Sequence, residues 1–332
     1  MNQEEFLQRL ADALAPLSDA ERARVIDYYR EMICDGVESG KDEQELIAGF
    51  GAVREITAQI LAESRSASSD GIPTVPSAPS ASADPDAYAA EGPVRCIVID
   101  ARHTGIEIRP VQGGPVQVHF IPMEQDRISV SERDGVFTFR HTVEFSLFHW
   151  RNLFYLPHKI IVDVPVSFNG ELSVSTCNAR IEAADLPRLS TVRFVTSNAN
   201  LVVSRLTCDS ISLRTSNGPL ELWGLQGRRC TAETSNGRIT ADGCRFPDEL
   251  CLYTSNAAIR VQDALSDNID FSTGNGPITA VIRGDMREYA IRSHTSNGPN
   301  NLPPELIYPD QQKRLNVSTN NARIDVRFLA ET

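Results

Sequence analysis

Three aspartates, Asp185, Asp242 and Asp263, each stand eight or nine residues after a recurring Thr. On a repeat fold, a column of carboxylates at that spacing could supply the general acid and base of a polysaccharide lyase or hydrolase. The intervening copies place Arg205, Gly224 and Ile282 near the same level. No carboxylate column results, and the chain is expected not to be an enzyme. His103, His119, His141, His149, His158 and His294 show no metal-ligand spacing such as HExxH. With no Gly-rich phosphate loop and no GxSxG, no metal and no cofactor are expected. The seven cysteines include no CxxC pair and are expected to be reduced and mostly buried, as in a cytoplasmic protein.

Two stretches could instead recognise a partner. FSLFHWRNLFYLPHK, residues 145–159, gathers Phe145, Phe148, Trp150, Arg151, Phe154 and Tyr155. It reads either as a hydrophobic cap or as an exposed loop of the aromatic and Arg type that anchors interfaces. Asp27, Tyr28, Tyr29, Glu31, Asp35 and Glu38 form either an acidic docking face or a merely solvated one. The net charge of −12, without a basic stripe, argues against direct nucleic-acid binding. No apolar run is long enough for a transmembrane segment and no leader is apparent at MNQEEFLQRL.

The elements carrying these residues fall into segments. In residues 1–63, Asn2 with Glu5, Ser18 with Glu21 and Asp42 with Glu45 fit helix-start capping pairs, each followed by apolar residues at helical spacing. A small acidic helical bundle is predicted. Residues 64–92 are dominated by Ser, Ala and Pro and read as a flexible linker. Residues 93–165 read as short strands forming a β cap or first irregular coils, with a hairpin turn at Arg133-Asp134-Gly135.

Residues 166–332 repeat a Thr-x-Asn-small unit at gaps of 19–24 residues. Its Asn is Asn178, Asn198, Asn217, Asn236, Asn256, Asn275, Asn297 and Asn321 in turn. Apolar residues alternate on both sides, with Ser293 and Asn300 as polar exceptions. Strand, corner, strand with one inward face predicts a parallel β-solenoid (β-helix) of about eight coils, each burying its face on the next. The corner Asn is expected to adopt left-handed backbone and to form a structural ladder from coil to coil.

The fold expected is therefore α plus β in separate domains. MNQEEFLQRLADAL, ERARVIDYYREMICDGVESGKDEQELIAGFG and REITAQIL resemble the HAAS-type helical signalling domain of bacteria, with Val53 where that family usually has Pro. The resemblance implies a protein-interaction module, often found beside PadR-type transcriptional regulators. The tandem TSNG units resemble a bacterial adhesin-like β-strand-repeat family of unknown function. Together the resemblances imply a non-enzymatic signalling or scaffold protein. Its partner would be a PadR-type regulator or a membrane signalling protein. An adhesin-like role, or self-association through the solenoid ends, is the alternative, and a carbohydrate-active enzyme a distant one.

Overall fold

The computed structural model describes residues 2–19, 22, 23, 25, 26, 29, 30, 33, 37, 42–67, 87–122, 126–143, 159–307 and 311–329, divided between two compact units. In the helical unit, helix Gln3–Ala13 starts where Asn2 Oδ1 accepts the Glu5 N–H at 2.8 Å. Helix Glu43–Gly49 starts where Asp42 accepts the amides of Gln44 and Glu45. Each cap satisfies amides that have no partner within the helix. Phe6, Leu10, Leu14 and Ile33 are fully buried, and the rings of Phe6, Tyr29 and Phe50 meet with centroids 5.4–5.6 Å apart.

Helix Val53–Ala67 runs past residue 63. Strand Ala87–Ala89 pairs antiparallel with Gln117–His119. The segment expected as a linker thus carries secondary structure at both ends, because Ala62, Glu63, Arg65 and Ala67 are good helix formers inside a Ser-rich stretch. Residues 68–86 of that segment lie outside the described residues. Among the described residues no helix is long and apolar enough to cross a membrane.

The second unit is built from two open sheets, one 11-stranded and one 12-stranded. Each regular coil places one strand in the larger sheet, turns at Thr-x-Asn, and places the next in the smaller. Parallel register stacks Leu172, Val192, Ile211, Cys230, Leu250 and Ile269 in one inward column. Ile181, Leu201, Leu220, Ile239, Ile259 and Ile278 form a facing column. These side chains are at most 1% exposed, so one continuous apolar core runs through the stack.

Residues 93–165 form more than a cap. Strands Cys96–Ala101 and Gly105–Val111 pair in register with Glu171–Ser175 and Ile181–Ala184. Strands Val136–Val143 and Lys159–Pro165 add a further level outside them. The chain therefore enters at the second level, steps outward, and returns to the third. The outer level is then covered antiparallel: Asp126–Arg133 lies on one sheet and Gln117–His119 on the other. The hairpin turns at Asp134 (φ 51°) and Gly135 (φ 73°), the left-handed pair that a two-residue turn requires.

The opposite end uses the same outward step. Strand Tyr289–Thr295 lies outermost, and the later strand Lys313–Thr319 inserts between it and Asn268–Thr273. Stacking order therefore departs from chain order, so the final repeat is the neighbour of the sixth. The two polar exceptions meet at this end: Asn300 Nδ2 donates to Ser293 Oγ at 2.8 Å, and Ser293 Oγ donates to the Pro303 carbonyl at 2.7 Å. Strand Glu305–Leu306 pairs antiparallel over the outer edge, and the Asn301 side chain bonds both backbone groups of Val326. Both ends thus blunt their unpaired strand edges.

Candidate functional site

At the Thr-x-Asn corner the Thr hydroxyl points inward. Thr234 Oγ1 donates to the Gly218 carbonyl of the preceding coil at 3.2 Å and accepts the Gly237 N–H at 3.1 Å. Thr254 Oγ1 likewise donates to the Gly237 carbonyl. The Asn side chains bond one another on the outside. Asn198 donates to Asn178, and Asn217 to Asn198, followed by Asn236, Asn256 and Asn275 each donating to the one before. The row then runs to Asn321 and only afterwards to Asn297, at 2.6 and 2.7 Å. At its other end Asn178 meets His103, which occupies the Asn position of the first coil. Thr176 Oγ1, in the coil next to His103, is buried with no hydrogen-bond partner among the described residues.

None of the eight Asn has positive φ, which corrects the left-handed expectation. The hydroxyl-to-amide bond within the turn closes the corner without such a residue. In the regular coils the left-handed residues lie at the second corner, at Asp185 (56°), Arg205 (49°), Gly224 (62°), Gly243 (64°) and Asp263 (53°), whereas His103 (62°) is left-handed at the Asn position of the first coil. There the aspartates are spent on ion pairs. Arg205 grips Asp185 through two bonds of 2.5 and 2.7 Å. Asp263 accepts from Arg283 and Arg245. Asp242 sits beside Trp223 on the outer face. The three aspartates do not converge, and among the described residues no group of three or more His, Cys, Asp or Glu is placed to hold a metal.

Asp263 is held below its ordinary range chiefly by the Arg283 hydrogen bond, with Arg245 adding to it. A carboxyl depressed in the folded state stabilises above its unfolded value and loses that contribution as pH falls through the folded one. The melting temperature is expected to drop below about pH 4. In Asp263→Asn that drop should flatten, with a loss at pH 7 of less than about 1 kcal/mol, because the carboxylate is 31% exposed. Thermal melts from pH 7 to 2 check this; equal slopes in both proteins would count against it.

Beside the Thr-x-Asn corner, on the outer face of the larger sheet, a groove of about 290 Å³ crosses neighbouring coils. Its floor is Thr215, Thr234 and Thr254; one side is Ser216, Ser235 and Ser255, the other Arg214, Glu233 and Tyr253. Arg214 pairs with Glu233 at 2.9 Å. Partial burial pushes the Tyr253 phenol up, and hydrogen bonds to Cys251 and Asp270 push the same way. The Thr and Ser columns belong to the repeated TSNG unit and were read mainly as structure, whereas Arg214, Glu233 and Tyr253 were not singled out by the sequence, because their column holds a different residue type in each coil.

Two histidine networks were also missed. His141 is buried with Nδ1 at 3.3 Å from Thr104 Oγ1 and Nε2 at 2.9 Å from Asp126. His119 Nε2 lies 2.9 Å from Asp163, which also accepts from Arg109. Neither opens onto the groove. Cys96, Cys208, Cys230, Cys244 and Cys251 are free thiols, and burial raises Cys208 to about 12 and Cys244 and Cys251 to about 11, far from the thiolate a nucleophile needs.

Tyr29 belongs to the bundle core rather than an exposed face: it packs on Phe6 and Phe50, and burial raises its phenol to about 12. Asp27, Tyr28, Glu31, Asp35 and Glu38 lie outside the described residues. So do Phe145, Phe148, Trp150, Arg151, Phe154 and Tyr155, in the connection between strands Val136–Val143 and Lys159–Pro165.

The HAAS family matches residues 5–59, and the Toastrack DUF4097 family matches residues 94–327. A crystal structure of a candidate cell adhesion protein from Clostridium sporogenes ATCC 15579 is similar at 9% identity and TM-score 0.24, over 73% of this chain and 98% of that one. That of a candidate adhesin from Bacteroides fragilis NCTC 9343 is similar at 11% identity and TM-score 0.31, over 73% and 95%. No curated protein matches the chain. Behind an N-terminal HAAS domain, the repeat unit spans most of the sequence, and the chain belongs to the Toastrack DUF4097 family.

Proposed function

We propose that this chain is a non-enzymatic signalling or scaffold protein, in which the helical unit binds a regulatory protein and the β stack offers a rigid interaction surface. The observation that carries the reading is how its polar residues are used. The repeated Thr and Asn bond coil to coil, and Asp185 and Asp263 are tied to arginines instead of meeting at a reacting centre. The HAAS match supports a protein partner, for which a PadR-type regulator or a membrane signalling protein is the candidate. Asp27, Tyr28, Glu31, Asp35 and Glu38 are the proposed docking face, and the aromatic stretch around Trp150 a second contact. Self-association through the stack ends is the weaker reading, since antiparallel strands cover both sheets at one end and the larger sheet at the other.

Affinity capture from the native host tests this, with the full chain and its Asp27→Asn/Glu31→Gln/Asp35→Asn/Glu38→Gln variant as baits. Retention of a transcriptional or membrane regulator by the parent, with loss in the variant, is the expected result. Recovery of only the protein itself or envelope material would sink the signalling reading.

A further inference from the structure

We propose that the groove along Ser216, Ser235 and Ser255 binds a neutral, linear glycan. Four observations carry this. First, one side of the groove repeats: successive coils set the three serines at the strand spacing, about 4.8 Å, which suits a ligand that is itself a chain of similar units. Second, its polar groups divide cleanly. The floor threonines are committed to carbonyls of the coil before, whereas the hydroxyls of the three exposed serines have no partner among the described residues. Those hydroxyls both donate and accept, which matches a ligand dense in hydroxyls.

Third, the opposite side offers Arg214 and Glu233 as an ion pair with no net charge, beside the ring of Tyr253. A polyanion would need a cluster of unpaired Arg or Lys, and a cation an unpaired carboxylate. A planar fork, a carboxylate and an aromatic face together suit a sugar ring, whose hydroxyls ring its edge and whose C–H groups cover its face. Fourth, the groove lies on a sheet face, where backbone N–H and C=O are already used in the parallel ladder. An extended peptide could not add itself as a strand there. The assignment is independent of what the helical unit binds.

The test is affinity electrophoresis of the full chain through native gels containing hydroxyethyl cellulose, glucomannan or arabinoxylan, followed by calorimetry with cellohexaose. Retardation by at least one of these polymers is expected. Tyr253→Ala and Arg214→Gln should each weaken binding, by roughly tenfold for the loss of a ring contact or a charged hydrogen bond. Trp223→Ala, on the other sheet, should leave it unchanged. Melting curves establish that each variant is folded, and Ser235→Val replaces Tyr253→Ala should that variant fail to fold. No retardation in any of the three gels overturns the assignment. So does binding that the groove variants leave intact, binding abolished by Trp223→Ala, or retardation by polygalacturonate alone.

Discussion

Replacing Phe271 by Ala is expected to cost about 3–5 kcal/mol, as large-to-small changes at fully buried aromatic sites do. Phe271 is 0% exposed and stacks between Leu252 and Val317 in an inward column. Val317 belongs to the strand Lys313–Thr319, which inserts between the sixth repeat and the outermost one. In a stack where each coil touches only its neighbours, a cavity at this junction weakens the hold of everything beyond it. Urea unfolding followed by circular dichroism should show an early transition for the C-terminal coils that the parent lacks. A loss below about 1 kcal/mol would mean that the coils beyond the junction hold without this contact.

The inward columns were legible because burial imposes one rule on every coil. Leu172, Val192 and Ile211 stand four residues before their Thr, and Ile181, Leu201 and Leu220 five after, and both sets pack as that spacing predicts. The order of the last two coils was not legible. Asn297 precedes Asn321 in the chain but follows it in the stack, since which edge a strand docks on depends on pairing, not on sequence position. Two departures did carry that information. Ser293 and Asn300 break the apolar columns in one repeat, and that repeat is the terminal one, where the two residues bond each other.

The first coil was hidden because Ala101, His103 and Thr104 stand where the repeat has Thr, Asn and Gly or Ala. Ile97, Ile99, Ile106 and Ile108 still follow the repeat spacing, but nothing of the corner signature is left between them. The groove was hidden for a different reason. Arg214, Glu233 and Tyr253 share a column but no chemistry, and only the stacking brings them together. Corner residues repeat because geometry demands them, so their recurrence points to architecture. Outward columns vary from coil to coil, and there the residues able to bind something are free to differ.

The corner glycines give the second large effect. A Cβ on Gly218 would lie 1.8 Å from the Ala199 carbonyl oxygen, and one on Gly237 only 1.7 Å from that of Gly218. Neither glycine has positive φ, so what excludes a side chain is the close approach of the preceding coil rather than backbone conformation. Ala179, Ala199, Ala257 and Ala322 occupy the same position in other coils, which shows that one methyl is accommodated where the local spacing is set for it. Gly237→Ala is therefore expected to cost about 1–3 kcal/mol, the usual range for overpacking. Gly237→Val drives two further methyls toward the same oxygen and should exceed about 3 kcal/mol, a large fraction of a typical domain's stability. It should also break the Thr234–Gly237 bond that closes the turn and the Thr254 bond to the Gly237 carbonyl, separating coils in mid-stack. Paired melts of the Ala and Val variants check the ordering. A Val variant that melts with the Ala variant would show that the coils can spread at this corner, and the steric account of the small residue in TSNG would have to be abandoned.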